Sequence, residues 1–225
     1  MIAVEHLGMQ LQAGSHRVTI LDDLTFHIPQ KQIVAIVGPS GSGKSTLLGL
    51  LAGLDRPTHG SITIHGTDIT ALSESEMVSH RRQHIGYVFQ SFHLIPTLTA
   101  LENVALPLEL NGDPRAMDRA KELLQAVELA DRQQHYPVQL SGGEQQRVAV
   151  ARAFSTKPPV LFADEPTGNL DSATGELVIH LLFRLNQDHG STMVLVTHDA
   201  ALANRTQRVI SLRDGRIHTD SMTES

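Results

Sequence analysis

Apolar positions fall into two textures along the chain. Leu24–Ile28 alternates with period two, the mark of a strand with one partly wet face. Ile33-Val34-Ala35-Ile36-Val37 is a continuous run, mostly β-branched, which suits a strand covered on both faces, as in a parallel sheet. A glycine-rich turn follows, and Lys44–Leu54 then reads as a buried helix. Gly60 to Ile64, the segment around Gly66, and Ile85–Phe89 read as further β-structure.

The texture changes from Thr99 to Leu129, where helical periods dominate. Asp113-Pro114 marks a helix start and Arg115–Leu129 an amphipathic helix. Ser141 opens another helix that runs to about Phe154, before Pro158-Pro159 interrupts. Val160–Ala163 then reads as strand, Ser172–Asp188 as helix, and Met193–Thr197 and Arg208–Leu212 as strands. Asp214-Gly215 offers a tight hairpin turn before Ile217. Strands alternating with helices predict an α/β fold with a mainly parallel sheet. Residues 92–157 read as an all-helical insertion.

Composition narrows the classes. A chain of 225 residues makes one large domain or two small ones, and 40% hydrophobic residues allow a sizeable core. Cysteine is absent, which removes disulfide scaffolds, thiolate metal sites and cysteine nucleophiles. The net charge of −6 opposes binding to nucleic acid by phosphate neutralisation. Aromatic residues are only 4%, too few for base-stacking platforms. No secretory signal is visible at Met1–Glu5. No apolar run approaches the roughly 18 residues of a membrane span, so a membrane role is expected through a partner.

Gly38-Pro39-Ser40-Gly41-Ser42-Gly43-Lys44-Ser45 matches G-x-x-x-x-G-K-[ST], between an expected strand and an expected helix. Glycines let the backbone wrap closely, so that its N–H groups converge on phosphate oxygens, and the helix N-terminus favours the anion. Lys44 is expected on the β- and γ-phosphates, the Ser45 hydroxyl on Mg²⁺, and Thr46 completes the nucleotide segment. Alone, this motif says only that a nucleoside triphosphate binds.

Val160-Leu161-Phe162-Ala163 ends in Asp164-Glu165. A buried strand ending in two acids places them at the carboxyl edge of the sheet, where ligands bind in α/β folds. Asp164 is expected to hold Mg²⁺ and Glu165 to act as general base on the attacking water. Leu140-Ser141-Gly142-Gly143-Glu144-Gln145 reads as a second anion site, a serine-capped helix whose glycines allow close approach. By itself it would equally serve as a capped helix without a ligand.

Taken together these motifs resemble the nucleotide-binding subunit of an ABC (ATP-binding cassette) transporter, over essentially the whole length. The Leu140–Gln145 hexapeptide is similar to that family's signature. The cradle, Gln90 after a strand, the signature, Asp164-Glu165, Asn169-Leu170-Asp171 and Thr197-His198-Asp199 stand in the family's order. The resemblance implies a P-loop NTPase (RecA-like) core with an N-terminal antiparallel β-subdomain and an inserted α-helical signature subdomain. Residues 1–91 and 158–225 would form the core and 92–157 the helical part.

It also implies roles. Gln90 would sense Mg²⁺ and the γ-phosphate, and His198 would contact the γ-phosphate and orient the water. Asp171 would cross the dimer interface. Ser141, Gly142 and Gly143 would meet ATP bound to the cradle of a second copy. Two copies would thus sandwich two ATP molecules head to tail, as an ATP-dependent homodimer. Phe89–Val104 and Ala163–Asp171 resemble the bacterial branch of lipoprotein-releasing, macrolide-export and cell-division cassettes. The resemblance implies an integral membrane permease partner with a periplasmic domain, and a place for this chain at the cytoplasmic face of the inner membrane. Driving transport and gating a periplasmic partner without moving a solute both remain open.

The chain ends soon after its last hairpin, so no appended regulatory domain is expected. Phe92, Leu94, Ile95 and Leu98 are candidates for a groove that receives a cytoplasmic helix of the partner. Among the 13 histidines only His80 and His84 share helical spacing, and with Arg81 and Arg82 between them they read as a solvated face. The family's adenine-stacking aromatic falls at Leu11 by position, and no aromatic residue precedes Phe26. Adenine is therefore expected to pack on Leu11 with a neighbour such as Val18, or else on the flat ring of His16.

Overall fold

The computed structural model describes residues 1–14 and 16–223. In chain order the strands and helices are β1 (Ile2–Ala13), β2 (His16–Ile28), β3 (Ile33–Val37), α1 (Lys44–Leu51), β4 (His59–Ile64), β5 (Thr67–Asp68), α2 (Glu74–His84), β6 (Ile85–Val88), α3 (Ala100–Leu110), α4 (Ala116–Ala126), α5 (Gly142–Phe154), β7 (Val160–Asp164), α6 (Ser172–His189), β8 (Thr192–Val196), α7 (Ala200–Ala203), β9 (Arg208–Arg213) and β10 (Arg216–Met222). They divide into two compact units, one of Met1–Arg81 with Thr192–Ser225 and one of Arg82–Ser191.

The first unit contains an antiparallel sheet in the order β2-β1-β4-β5. Its other sheet runs β10-β9-β3-β8, with β3 parallel to both β8 and β9. Val34, Ala35 and Ile36 of β3 and Met193–Val196 of β8 are all fully buried, which is why these strands read as unbroken apolar runs. The Asp214-Gly215 hairpin forms as expected, joining β9 to β10.

Three elements, β1, α2 and the short α7, escaped the hydrophobic pattern. Along β1 the register with β2 shifts between Val4 and Leu7, between Leu7 and Met9, and between Met9 and Gln10. The first of these puts an extra residue on β1 and moves its inward face from Ile2 and Val4 to Leu7, so the alternation is broken early in the strand. Helix α2 buries only Met77 and His80, too few for a helical stripe. This corrects the solvated-face reading of His80: with Met77 it forms the inward side of α2. Helix α1 stops at Leu51 rather than Leu54, because Gly53 turns into the left-handed region at φ 63°.

In the second unit β6 pairs in parallel with β7, and α3 packs on α4 and α5. Thr99 caps α3 and Ser141 caps α5, each in a reciprocal box with a glutamate three residues on. Asp113 Oδ1 accepts the Arg115 N–H at 2.9 Å, and α4 begins at the next residue. Phe154 and Phe162 are the largest fully buried side chains of this unit. Among the described residues no helix is long and apolar enough to cross a membrane.

Candidate nucleotide site

In the first unit, β3 runs directly into the loop Gly38–Gly43. A Cβ on Gly38 (φ 147°) would collide with the Leu212 carbonyl and stand 2.9 Å from Ser42 Oγ. One on Gly43 (φ 95°) would stand 2.6 Å from Leu21 Cδ2 and 2.9 Å from the Ile20 carbonyl oxygen. Both positions therefore require glycine. Gly43 occupies the N-cap of α1, and no side chain caps the helix there, the arrangement in which a helix N-terminus takes an anion. Ser42 Oγ is buried and makes no hydrogen bond, a polar atom suited to a phosphate oxygen.

Lys44 is buried and its Nζ donates to the carbonyls of Gly38 (3.0 Å) and Pro39 (2.9 Å), which holds the ammonium inside the curl of the loop. Pro39, Ser40, Gly41 and Ser45 are exposed along the loop and Thr46 is half-buried. His198 follows β8. Ile36 of β3 pairs with Val196 of β8, so the two strands end side by side, with Gly38 and His198 each two residues beyond the paired positions. His198 is exposed at that edge, and Asp199 caps α7 through the Ala201 and Leu202 N–H groups.

Leu11 faces Val18 as its direct register partner across β1 and β2. Cross-strand partners present their side chains on one face, and these are 49% and 45% exposed. Val18 stands two residues from Ile20, whose carbonyl touches Gly43, roughly 7 Å along the strand. An exposed aliphatic patch thus lies one strand step from the phosphate loop. It can cover a flat base by dispersion but offers no aromatic face.

The second unit carries the other candidates. Val88 pairs with Ala163, so Gln90 and Glu165 each lie two residues beyond a matched pair. A Cβ placed on Gly168 would meet Gln90 Nε2 at 2.7 Å and Glu165 Oε2 at 3.1 Å, so both side-chain ends converge on this glycine. Asp164 ends β7 half-buried. Burial pushes the Tyr87 phenol well above its ordinary pKa, and the nearby Asp164 carboxylate adds to the shift. Glu165 holds φ 42°, unusual for a side-chain-bearing residue, and turns the chain immediately after the strand.

Ser141 is exposed at the head of α5. Gly143 is buried against Thr174, whose methyl a Cβ would strike, and Gly142 lies near Leu170 and Phe92. Asp171 caps α6, and the Thr174 hydroxyl and N–H hold its carboxyl below the usual range. Asn169 Nδ2 donates to the Gln90 carbonyl at 3.0 Å. The unit therefore packs Gln90, the signature glycines, Glu165 and Asp171 as one cluster. Sequence reasoning passed over two members of it, Gly168 and Gln146. The second was legible, because Gly143, Gln146, Val150 and Phe154 form one buried helical stripe with a single polar interruption.

The candidate cation ligands Ser45, Gln90 and Asp164 each carry an oxygen donor, a hydroxyl, an amide oxygen and a carboxylate, the donor type Mg²⁺ takes.

A glycine-lined anion loop at a strand–helix junction, with a carboxylate-ended strand and a second capped helix head, defines a nucleoside triphosphatase of the α/β class. The ABC transporter family model matches residues 21–168. The chain is 48% identical over 222 residues to the ABC transporter ATP-binding protein YbbA of Escherichia coli K12, covering 98% of this chain and 97% of that one. It is 44% identical to the lipoprotein-releasing system ATP-binding protein LolD of Bordetella pertussis, covering 97% and 96%. It superposes on the dimeric post-hydrolysis structure of the cassette MJ0796 bound to ADP and Pi with a TM-score of 0.92, at 41% identity and full coverage of both chains. The chain belongs to the ABC transporter family. It is one of the family's ATP-hydrolysing cassettes, and ATP and Mg²⁺ are its cofactors.

Proposed function

We propose that this chain is the motor of an envelope transporter: it hydrolyses ATP as a head-to-tail homodimer and passes the resulting movement to an integral membrane permease with a periplasmic domain. The observation that carries the catalytic part is the convergence of Gln90 Nε2 and Glu165 Oε2 on Gly168. It supports a reading in which Gln90 senses metal and phosphate beside a carboxylate able to take a proton from water.

In this reading Gly38–Thr46 cradle the phosphates and Lys44 neutralises the β- and γ-oxygens. Ser45, Gln90 and Asp164 would hold Mg²⁺, which would supply Lewis-acid stabilisation of charge on the γ-phosphoryl group. Glu165 orients the water and accepts its proton, and His198 steadies the γ-phosphate. Leu11 and Val18 cover the base. Ser141, Gly142 and Gly143 of one copy close over ATP in the other, with Asp171 beside the interface, so ATP joins the copies and hydrolysis releases them. The dimeric MJ0796 cassette with ADP and Pi supports this cycle.

The likeness to LolD supports a task in export or in handling envelope lipid or lipoprotein, at the cytoplasmic face of the inner membrane. Phe92, Leu94 and Leu98 are half-buried and Ile95 is exposed, a surface that suits a short apolar helix of the permease. We also keep residues 92–157 as the signature-bearing helical part and the flanking segments as the catalytic part.

The test is Glu165→Gln with saturating Mg-ATP. Light scattering is expected to show a stable dimer with turnover abolished, and a chain that stays monomeric refutes the sandwich. Purification from membranes in mild detergent is expected to bring a permease with a large periplasmic domain. Recovery of the chain without any such partner refutes the envelope role.

A further inference from the structure

We propose that Gln146 is a positioning residue for ATP hydrolysis, tying helix α5 to the two loops that carry Gln90 and Glu165. The inference rests on the reading of Glu165 as the base. Gln146 is fully buried on α5, one turn after the signature glycines. Its Nε2 donates to the Pro166 carbonyl at 2.7 Å and to the Phe89 carbonyl at 3.3 Å. Pro166 directly follows Glu165, and Phe89 directly precedes Gln90. One amide nitrogen thus grips the backbone beside both site residues.

The location explains the need. The ladder between β6 and β7 ends at Val88 and Ala163. Beyond it no ladder bonds keep the two loops in register, and the Gln146 amide bridges them where the sheet stops. Asn169 adds a second tie, to the Gln90 carbonyl. Glu165 sits in the left-handed region at φ 42°, a conformation that persists only where the surroundings impose it. The hydrogen bond to the next carbonyl is such a constraint.

The other end of the amide argues against a purely stabilising role. Gln146 Oε1 is buried and accepts no hydrogen bond, which is a cost to the fold. What the residue supplies is its two donors. Because α5 begins at Gly142, a displacement of the signature end is carried by Gln146 to the turn that aims Glu165.

The experiment compares the full chain with Gln146→Met, Gln146→Glu and, as a reference, Glu165→Gln. A fluorescent ATP analogue reads binding, phosphate release reads turnover, and thermal melting reads folding. Gln146→Met is expected to lower kcat about tenfold or more, since small misplacements of a reacting group cost that much, with nucleotide Kd within about twofold. Gln146→Glu adds a pH readout. Its carboxyl, with its pKa raised by burial, can donate one hydrogen bond when protonated and none when ionised, so its kcat relative to wild type is expected to rise as pH falls.

A Gln146→Met kcat within about twofold of wild type, or a flat pH ratio for Gln146→Glu, overturns the proposal. So does a loss of turnover in both variants matched by loss of binding or folding, which makes Gln146 a core residue only. Wild-type turnover in Glu165→Gln refutes the base assignment itself, and this proposal with it.

Discussion

Ser141 and Glu144 satisfy each other at the head of α5: Ser141 Oγ accepts the Glu144 N–H at 3.3 Å, and Glu144 Oε2 accepts the Ser141 N–H at 2.8 Å. The Ser141 side chain also helps hold the Glu144 carboxyl below its ordinary value, so a phosphate oxygen would have to draw the hydroxyl proton away from that carboxylate. Cap and ligand contact are separable by substitution. Ser141→Ala is expected to lower stability by about 1 kcal/mol in denaturant titration, while Ser141→Gly costs only a few tenths. Both are expected to weaken the Mg-ATP dimer of a Glu165→Gln background equally in sedimentation. A dimer weakened only by alanine would mean that the hydroxyl acts through the cap alone.

The capping carboxylates set an acid limit. Backbone N–H donation from Ser141 holds Glu144 below its ordinary value of 4.5, and donation from Thr99 does the same for Glu102. Such groups ionise more readily folded than unfolded. Their stabilisation is complete above the unfolded value and is lost as pH falls through the lower folded value. Stability is expected to fall on acidification below about pH 4.5. Glu102→Gln keeps a box-forming side chain but cannot titrate, so its loss of stability with acid should be shallower in denaturant titrations across pH.

Gly168 is a steric reporter of the site. A methyl there meets the tips of two flexible side chains, Gln90 and Glu165, rather than backbone. Gly168→Ala is expected to leave melting within a few degrees of wild type yet lower kcat about tenfold by displacing both groups. Unchanged turnover would show that neither side chain needs its present place.

Base selectivity follows from the aliphatic pair. With Leu11 and Val18 in place of a ring, GTP is expected to be hydrolysed with kcat/KM within about tenfold of ATP. Leu11→Tyr adds a stacking face and should tighten ATP by about 1 kcal/mol, roughly fivefold in Kd. Strong ATP preference in the wild type would show that other groups read adenine.

Much of the site was legible because its chemistry sits at junctions that punctuate the chain. The run Ile33–Val37 into the glycines, Val160–Ala163 into Asp164-Glu165, and Ser141 with Glu144 three residues on each announce a strand end or a helix start within a few residues. The boundaries of α5 and α6 differ from expectation by one residue at most. What stayed hidden depends on partners far along the chain. Strand β1 breaks its alternation at the extra residue between Val4 and Leu7, and α2 has two inward residues. The tie from Gln146 to Phe89 joins residues 57 apart in sequence, which no local spacing can announce.

Lys44 gives the last consequence. Its ammonium rests on the Gly38 and Pro39 carbonyls, so the side chain is a rivet through the loop it belongs to. Removing it deletes a charge and also lets two carbonyl dipoles swing free at the mouth of the cradle, where they would repel an anion. The affinity lost in Lys44→Ala is therefore the sum of an attraction removed and a repulsion released, and exceeds what one ammonium contributes to holding phosphate.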